Sequence, residues 1–176
     1  MLDLLYQRRS IRKYQNKPIE EEKVQQLIKA ALLAPSAKNI NSQRFIVVKD
    51  KELLEKLSTA RDHGCSFLKD APLAIVVTAD SSLIDVWIED SAISAIILQL
   101  AAKSLGLGSC WAQIRERGHN DQKSAGQYVK EVLAIPENVE VECIIGIGYP
   151  LEEKPPKKDE DLAFERVFYN RFGLNK

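Results

Sequence analysis

The chain has 176 residues, the length of a single compact domain, so we expect one domain over residues 1–176. Apolar residues make up 45% of it and charged residues 28%, a composition that excludes a disordered chain. Its 25 Lys and Arg residues balance its 25 Asp and Glu residues, which excludes a global field that attracts nucleic acid or an acidic membrane.

The first half of the chain predicts helices that alternate with strands. Residues 19–35 place three acids before apolar residues at helical spacing and end at a proline, the pattern of an amphipathic helix. Residues 44–50 and 72–80 are short runs rich in β-branched side chains, which favour strands. Residues 52–61 between them have helical spacing. We therefore expect the order helix, strand, helix, strand.

A long apolar helix dominates the second half. About 22 residues before Gly106 are compatible with a helix, and residues 92–105 are apolar on almost every side. We expect this helix to be buried all round, in the core or in a subunit interface. Residues 109–114 predict a strand, residues 122–134 a helix, and residues 139–150 a strand whose apolar second half requires cover on both faces of the sheet.

Residues 151–176 differ in character from the rest of the chain. They begin as a charged stretch broken by prolines and then carry aromatic side chains at Phe164, Phe168, Tyr169 and Phe172. Such a segment cannot form a core of its own, so we expect it to be an extension that packs against a partner.

Cysteine and histidine usage excludes several kinds of site. Cys65, Cys110 and Cys143 are odd in number, lie far apart and form no CxxC pair, so neither a disulfide framework nor a zinc site is indicated. His63 and His119 lack the HExxH spacing, which argues against a histidine-bound metal and against a hydrolytic triad. We expect reduced thiols and no metal site.

The N-terminus does not resemble an export signal. Its apolar residues precede its basic ones, the reverse of a secretory signal, and no apolar run approaches the roughly 18 residues that a membrane span requires. We therefore expect a cytoplasmic protein without a membrane partner.

The sequence RRSIRKY, residues 8–14, concentrates cations near the start of a chain with no net charge. Such a run is often a solvated surface. Alternatively, it is an anion site, because guanidinium groups bind phosphate through two parallel hydrogen bonds and a hydroxyl adds a directional donor. A third interpretation, a nucleic-acid surface, lacks interleaved exposed aromatic residues and ranks last.

Four motifs in chain order resemble the FMN-dependent nitroreductase family: RRSIRKY, then APSAKNINSQRF from residue 34, GLGSCW from residue 106 and GIGYP from residue 146. The resemblance covers essentially the whole chain. It implies an α+β fold of three layers, with a central mixed sheet flanked by helices, in an intertwined homodimer. It also implies that residues 151–176 pack on the partner subunit.

The resemblance assigns the basic motif to the flavin nucleotide. In the family this motif grips FMN, so Arg8, Arg9 and Ser10 would hold the phosphate and the ribityl chain. Arg12 would reach the pyrimidine edge of the isoalloxazine ring, where a cation stabilises the negative charge of the reduced flavin.

The loop after the helix predicted at residues 19–35 comes from the opposite subunit in the family and covers the flavin. By itself the sequence of this loop predicts only the end of a helix followed by a turn. The resemblance assigns flavin contacts to Pro35, Ser36, Lys38, Asn39 and Asn41. Where the usual motif has Gln followed by Pro and Trp, this chain has Asn41, then Ser and Gln.

The remaining assignments lie in the second half of the chain. Residues 106–108 follow a helix and open a strand, the reverse of a dinucleotide-binding turn. Gln113 stands where family members often have a glycine beside flavin N5, and Cys110 in this strand is expected to be a buried, inert thiol. Without the resemblance, residues 151–158 predict a solvated linker. In the family this region closes over the phosphate, and Lys157 and Lys158 are the best matches.

The resemblance implies an NAD(P)H-dependent flavin oxidoreductase. Hydride would pass from NADH or NADPH to flavin N5 and then to a small electron-poor acceptor, such as a nitroaromatic compound or a quinone, with ping-pong kinetics. No side chain is needed as a catalytic acid or base. The alternatives are a flavoenzyme for enone reduction or dehalogenation, and a flavin-binding regulatory module without turnover.

Overall fold

The computed structural model describes residues 1–174, so the last two residues of the predicted extension 151–176 lie outside the described part. The helices and strands are α1 (Leu2–Gln7), α2 (Glu21–Leu32), β1 (Gln43–Val48), α3 (Lys51–Ser58), β2 (Leu73–Asp80), α4 (Trp87–Ser104), β3 (Gly108–Gln113), β4 (Gly118–Asn120), β5 (Lys123–Ser124), α5 (Ala125–Leu133) and β6 (Val139–Gly148). Short 3₁₀ turns lie at Ala37–Asn39, Ser66–Asp70, Asp159–Asp161 and Phe164–Arg166. The predicted strands and helices are confirmed, while the short β4–β5 hairpin was not predicted.

The four long strands form one sheet in the order β1, β2, β6, β3. Each of its three pairings is antiparallel. The mixed character expected from the sequence is limited to a parallel bridge between Ser10 and Ser109, outside the named strands. Strand β6 lies in the centre, which explains why its second half is continuously apolar.

The sheet is covered on both faces, as the three-layer expectation requires. Alternate residues of β2 serve different faces, because successive side chains of a strand point to opposite sides. Leu73, Ile75 and Val77 belong to an apolar cluster with helices α2 and α4. Ala74 and Val76 belong to a second cluster with α3 and α5.

Helix α4 is less buried in one chain than its sequence predicts. Ala95 and Leu98 are fully buried against the sheet, whereas Ile93 and Ile96 on another side are 39% and 37% exposed. One stripe of this apolar helix is therefore uncovered within a single chain. Within residues 1–174, no helix combines the length and apolarity that crossing a bilayer demands.

Residues 8–17, here called the N-terminal arm, cross the end of the sheet. The backbone N–H of Ile11 donates to the Ser109 carbonyl at 3.0 Å, and that of Gln15 donates to the Tyr149 carbonyl at 2.8 Å. The buried hydroxyl of Tyr14 donates to the carbonyl oxygens of Ile11, at 2.6 Å, and of Gly146, at 3.0 Å. The arm is thus attached to the sheet by backbone and side-chain hydrogen bonds.

Glycines make room for this arm. A Cβ on Gly108 would lie 2.8 Å from Ile11, and one on Gly148 would lie 2.7 Å from Pro72 and 2.8 Å from Tyr14. Contacts this short are not tolerated between carbon atoms. The second glycine of the GLG motif and the second glycine of the GIG motif therefore have a structural reason here: they let the arm lie directly against the ends of β3 and β6.

The three cysteines are free and buried in the core. Burial raises the pKa of the Cys65 thiol to about 11 and also raises the pKa values of Cys110 and Cys143. For Cys110, Arg12 and Lys154 act in the opposite direction without cancelling the effect of burial. The structure thus confirms the burial expected for Cys110.

We predict that Gly148→Ala lowers the free energy of unfolding by about 1–3 kcal/mol, because the new methyl group overlaps Pro72 and Tyr14. Urea unfolding followed by circular dichroism measures the change. Gly118→Ala is the matched control, since nothing lies within 4 Å of its added Cβ. Equal stability of the two variants would contradict the packing described for the arm.

We also predict that the three thiols of the native protein resist a disulfide reagent at pH 8. Burial blocks access, and a raised pKa keeps the thiols protonated at that pH, whereas the thiolate is the reactive form. Absorbance after adding the reagent counts reacted thiols, before and after denaturation in guanidinium chloride. Rapid reaction of any thiol in the native state would be inconsistent with this burial.

Candidate functional site

The N-terminal arm places cations at a cavity of about 280 Å³, here called the Arg8 cavity. It lies beside the start of β3 and the C-terminal end of α4, where Gly108 and Lys103 line it. Four cationic side chains and two carboxylates line the cavity: Arg8, Arg9, Lys103, Lys154, Glu152 and Glu153. The lining thus carries a net charge of two positive units in a chain whose net charge is zero.

Two of these cations are available to a ligand. Within residues 1–174, the side chains of Arg8 and Lys103 have neither a hydrogen bond nor an ion pair. The Arg9 guanidinium donates to the Pro155 carbonyl, and the Lys154 ammonium donates to the Ser10 carbonyl at 2.5 Å. The available groups suit a bound anion such as a phosphoryl group.

Glu152 joins the arm to the segment that follows β6. Its carboxylate accepts a hydrogen bond from the Arg12 backbone N–H at 2.7 Å, and Lys154 lies 3.4 Å away. This N–H is the main reason why the pKa of Glu152 is lowered, and Lys154 contributes. Glu152 therefore stays ionised at neutral pH and fixes Lys154 beside the arm.

The sequence predicted that Lys157 and Lys158 close over the phosphate and did not single out Lys154, which lines the Arg8 cavity. Neither of those lysines lines the Arg8 cavity. The backbone N–H of Lys157 donates to the Tyr6 carbonyl at 2.9 Å, and its ammonium lies 3.9 Å from Asp161. The backbone N–H of Lys158 donates to the same Asp161 at 2.9 Å. One sequence signal could have identified Lys154: it is the first lysine after GIGYP, and it directly precedes the two prolines.

The other two residues assigned from the basic motif lie at the edge of this cavity. Ser10 is partly buried and pairs with Ser109 through its backbone. The Arg12 side chain is exposed, and within residues 1–174 it forms no ion pair. Both remain candidates for contacts to a ligand that extends out of the cavity.

The loop from Pro35 to Asn41 is held by α4. The buried carboxylate of Asp90, 3% exposed, accepts the backbone N–H of Ala37 at 3.0 and 3.1 Å to its two oxygens. Ser36 accepts the Asn41 backbone N–H at 3.0 Å. Asp90 is a second residue that the sequence analysis missed, because nothing in the sequence connects it with a loop that lies 53 residues earlier.

This loop adopts an uncommon backbone conformation. Lys38, Asn39 and Asn41 have φ angles of 51°, 55° and 54°, in the left-handed region. Asparagine tolerates this region better than lysine does, and such conformations persist only where the surrounding structure imposes them. Asn41 also uses its side-chain amide within the loop, donating to the Asn39 carbonyl at 2.9 Å. Lys38 and Asn39 are exposed.

Within one chain the loop and the Arg8 cavity are far apart. Asp90, which holds the loop, lies in the first turn of α4, whereas Lys103 lies in its last turn. At 1.5 Å per residue they are about 20 Å apart along the helix. The strand order is consistent with this separation, because the loop leads into β1 at one edge of the sheet and Ser10 bridges β3 at the other edge. A single chain therefore does not unite the two groups of predicted residues.

Gln113 ends β3 with its side-chain amide already in use. The Trp111 indole donates to its Oε1 at 2.8 Å, and its Nε2 donates to the Arg115 carbonyl at 3.2 Å and to Glu142 at 3.3 Å. Arg61 donates to its backbone carbonyl at 3.0 Å. Gln113 is thus fixed in place, and its side-chain amide is committed within the chain.

Among the described residues, the lining of the Arg8 cavity includes neither a histidine nor a cysteine. Within the part of the chain that the structure describes, no group of three or more His, Cys, Asp or Glu side chains could hold a metal ion. His119 stacks on Tyr128 with ring centroids 4.0 Å apart, on the α5 side of the molecule, and does not line the Arg8 cavity.

Comparison with known proteins gives a consistent result. The family model described as the Nitroreductase family matches residues 5–61 and 58–149. The structure resembles that of an FMN-dependent nitroreductase from Clostridium difficile R20291 with a TM-score of 0.97 and 51% identity, over 98% of this chain and 100% of that one.

Two further matches are more distant. The chain is 40% identical, over 87% of each protein, to a protein of Archaeoglobus fulgidus named for NADH dehydrogenase and NAD(P)H nitroreductase activities. It resembles an NADPH:FMN oxidoreductase from Vibrio harveyi, complexed with NAD⁺, with a TM-score of 0.79 and 25% identity, over 99% of this chain and 79% of that one. The chain therefore belongs to the nitroreductase family.

Proposed function

We propose that this chain is an NAD(P)H-dependent flavin oxidoreductase that holds the phosphate of FMN in the Arg8 cavity and reduces a small electron-poor acceptor. The observation that carries the proposal is the cavity itself, with two unpaired cations and a net charge of two positive units. The names of the Clostridium difficile and Vibrio harveyi proteins, which mention FMN and NADPH, support the choice of flavin and reductant.

The residues present fit a flavin phosphate. The Arg8 guanidinium can offer two parallel hydrogen bonds to phosphate oxygens, and Lys103 and Lys154 add positive charge. The cavity of about 280 Å³ lies just below the range of roughly 300–1,000 Å³ that is typical of small-molecule sites. A cavity of this size can enclose the phosphate end of FMN but not its ring system, so other residues must surround the ring.

A second copy of the chain would supply those residues. The Pro35–Asn41 loop is held by Asp90 at one end of α4, about 20 Å along the helix from Lys103 at the Arg8 cavity of the same chain. Ile93 and Ile96 on α4 form an uncovered apolar stripe, and Phe164 and Phe172 are 65% and 91% exposed. A homodimer that buries these surfaces would bring the loop of one subunit to the cavity of the other.

In this proposal the protein binds the flavin, orients it and shields it from water. FMN, when bound, would accept and donate the hydride. Arg12 would place a positive charge beside the pyrimidine edge of the bound flavin, which would favour the reduced form. Gln113, fixed by Trp111 and Glu142, would shape the region beside flavin N5. The reductant and the acceptor, a nitroaromatic compound or a quinone, would occupy the same face in turn, which leads to ping-pong kinetics.

We predict that the purified protein, supplied with FMN, shows flavin absorption near ~450 nm that is lost when NADH or NADPH is added without oxygen. Arg8→Ala and Lys154→Ala should each weaken FMN binding by roughly 10- to 100-fold, because each removes a charged contact. Fluorescence quenching of FMN measures the affinity.

Lys157→Ala is the matched control for Lys154→Ala, since Lys157 does not line the Arg8 cavity. It should retain FMN affinity within about threefold. A protein that takes up no FMN would refute the proposed function. Loss of FMN from the Lys157 variant alone would instead show that the phosphate lies elsewhere.

We further predict that the double variant Ile93→Glu with Ile96→Glu is monomeric and binds FMN weakly. Charges on the exposed stripe of α4 would be buried without partners in a dimer, which is strongly unfavourable. Sedimentation gives the oligomeric state, and circular dichroism checks the fold. Lys56→Glu on the outer side of α3 is the control and should stay dimeric. A wild-type protein that sediments as a monomer with FMN bound would contradict the shared site.

A further inference from the structure

A second and larger cavity, of about 680 Å³, borders the second half of the N-terminal arm, residues 13–17. It shares no lining residue with the Arg8 cavity. Five lysines and one carboxylate, Asp70, contribute the charged groups of its lining, and we call it the lysine groove. The lysines are Lys13, Lys17, Lys49, Lys51 and Lys69.

These lysines come from separate parts of the chain. Lys13 belongs to the N-terminal arm, Lys51 opens α3, and Lys69 lies in the 3₁₀ turn before β2. No local sequence pattern connects these lysines, because they are spread over more than fifty residues. The fold gathers them around one depression, against their mutual repulsion, in a chain with no net charge.

Only part of this positive charge is neutralised by the protein. Lys49 lies 2.5 Å from Glu21, and Lys17 lies 3.6 Å from Glu20. The ammonium groups of the other three groove lysines form no hydrogen bond or ion pair within residues 1–174. Three unpaired lysines against the single carboxylate of Asp70 leave a net charge of two positive units.

The floor of the groove is apolar. Val24, Leu54 and Leu73 are almost completely buried beneath it, and Pro72 and Leu151 contribute to its walls. A cationic rim above an apolar floor suits a ligand that has both an anionic group and an apolar body. The volume lies within the roughly 300–1,000 Å³ of small-molecule sites.

We propose that the lysine groove binds a small organic phosphate, with its phosphate groups on the rim lysines and an apolar ring on the floor. This site is separate from the Arg8 cavity and does not depend on the proposed function. Nucleotides and ring-containing metabolite phosphates both combine an anionic phosphate with a ring. The proposal is therefore tested with three probes: one that has both parts, one that has only the ring and its sugar, and one that has only the phosphates.

The test uses the protein saturated with FMN, at low ionic strength where charge contacts are least screened. ADP is titrated while backbone amide NMR shifts are recorded, and adenosine and inorganic pyrophosphate are titrated separately. ADP should shift the amides of Lys13, Lys51 and Lys69 and bind at least about fivefold more tightly than either fragment. Pyrophosphate binding as tightly as ADP would overturn the role of the floor, and adenosine binding as tightly would overturn that of the lysines.

A variant that reverses the charge of two rim lysines tests the proposal further. The double substitution Lys51→Glu with Lys69→Glu should weaken ADP binding by at least about tenfold, because it converts two rim cations into anions. A glutamate in the first turn of α3 is compatible with the helix dipole, so the fold is expected to persist. The control, Lys29→Glu with Lys56→Glu, makes the same charge change at exposed lysines outside the groove and should alter affinity less than about twofold.

Equal affinities of the two double variants would overturn the proposal, as would ADP-induced shifts confined to residues around Arg8 and Ser109. The groove variant should also keep the wild-type affinity for FMN. If the protein takes up no FMN, the proposed function fails, while the same titration of the flavin-free protein still reports on the groove through the same amides.

Discussion

The N-terminal arm can cross the end of the sheet only because Gly108 and Gly148 carry no side chain. With their Cα atoms open, the backbone of Ile11 reaches Ser109 and the ring of Tyr14 packs into the core. The position of the arm then decides where its cations lie. The Arg8 cavity borders the first half of this arm, and the lysine groove borders its second half.

Electrostatics in this protein are local. A chain of zero net charge generates no long-range attraction, yet two depressions each keep two uncompensated positive charges. Carboxylates near the Arg8 cavity organise the cations rather than cancel them. Glu152 illustrates this, because it binds the arm through the Arg12 N–H and at the same time lies beside Lys154. Lys154 and Arg9 are therefore held in position before any ligand arrives, whereas Arg8 and Lys103 have no hydrogen-bond or ion-pair partner within residues 1–174.

The division of the predicted flavin residues between two ends of α4 is a consequence of the fold. This helix links the loop, through Asp90, to the cavity, through Lys103, and keeps them about 20 Å apart. The same helix carries the apolar stripe of Ile93 and Ile96 that one chain leaves uncovered. A site shared between two copies would resolve both features at once, because the interface would lie along the element that separates the two halves.

The amino-acid pattern by itself determined the helices and the long strands, since hydrophobic periodicity, proline and glycine act over a few residues. It also predicted that Cys110 is buried, and the family resemblance of its motifs predicted that Arg8 belongs to an anion site. What only the tertiary structure decided depends on contacts between distant segments. Lys154 rather than Lys157 reaches the Arg8 cavity because Glu152 bonds to the arm. The antiparallel order of the sheet and the gathering of groove lysines from three segments likewise depend on which strands pair and how the chain crosses them, and no local pattern encodes that.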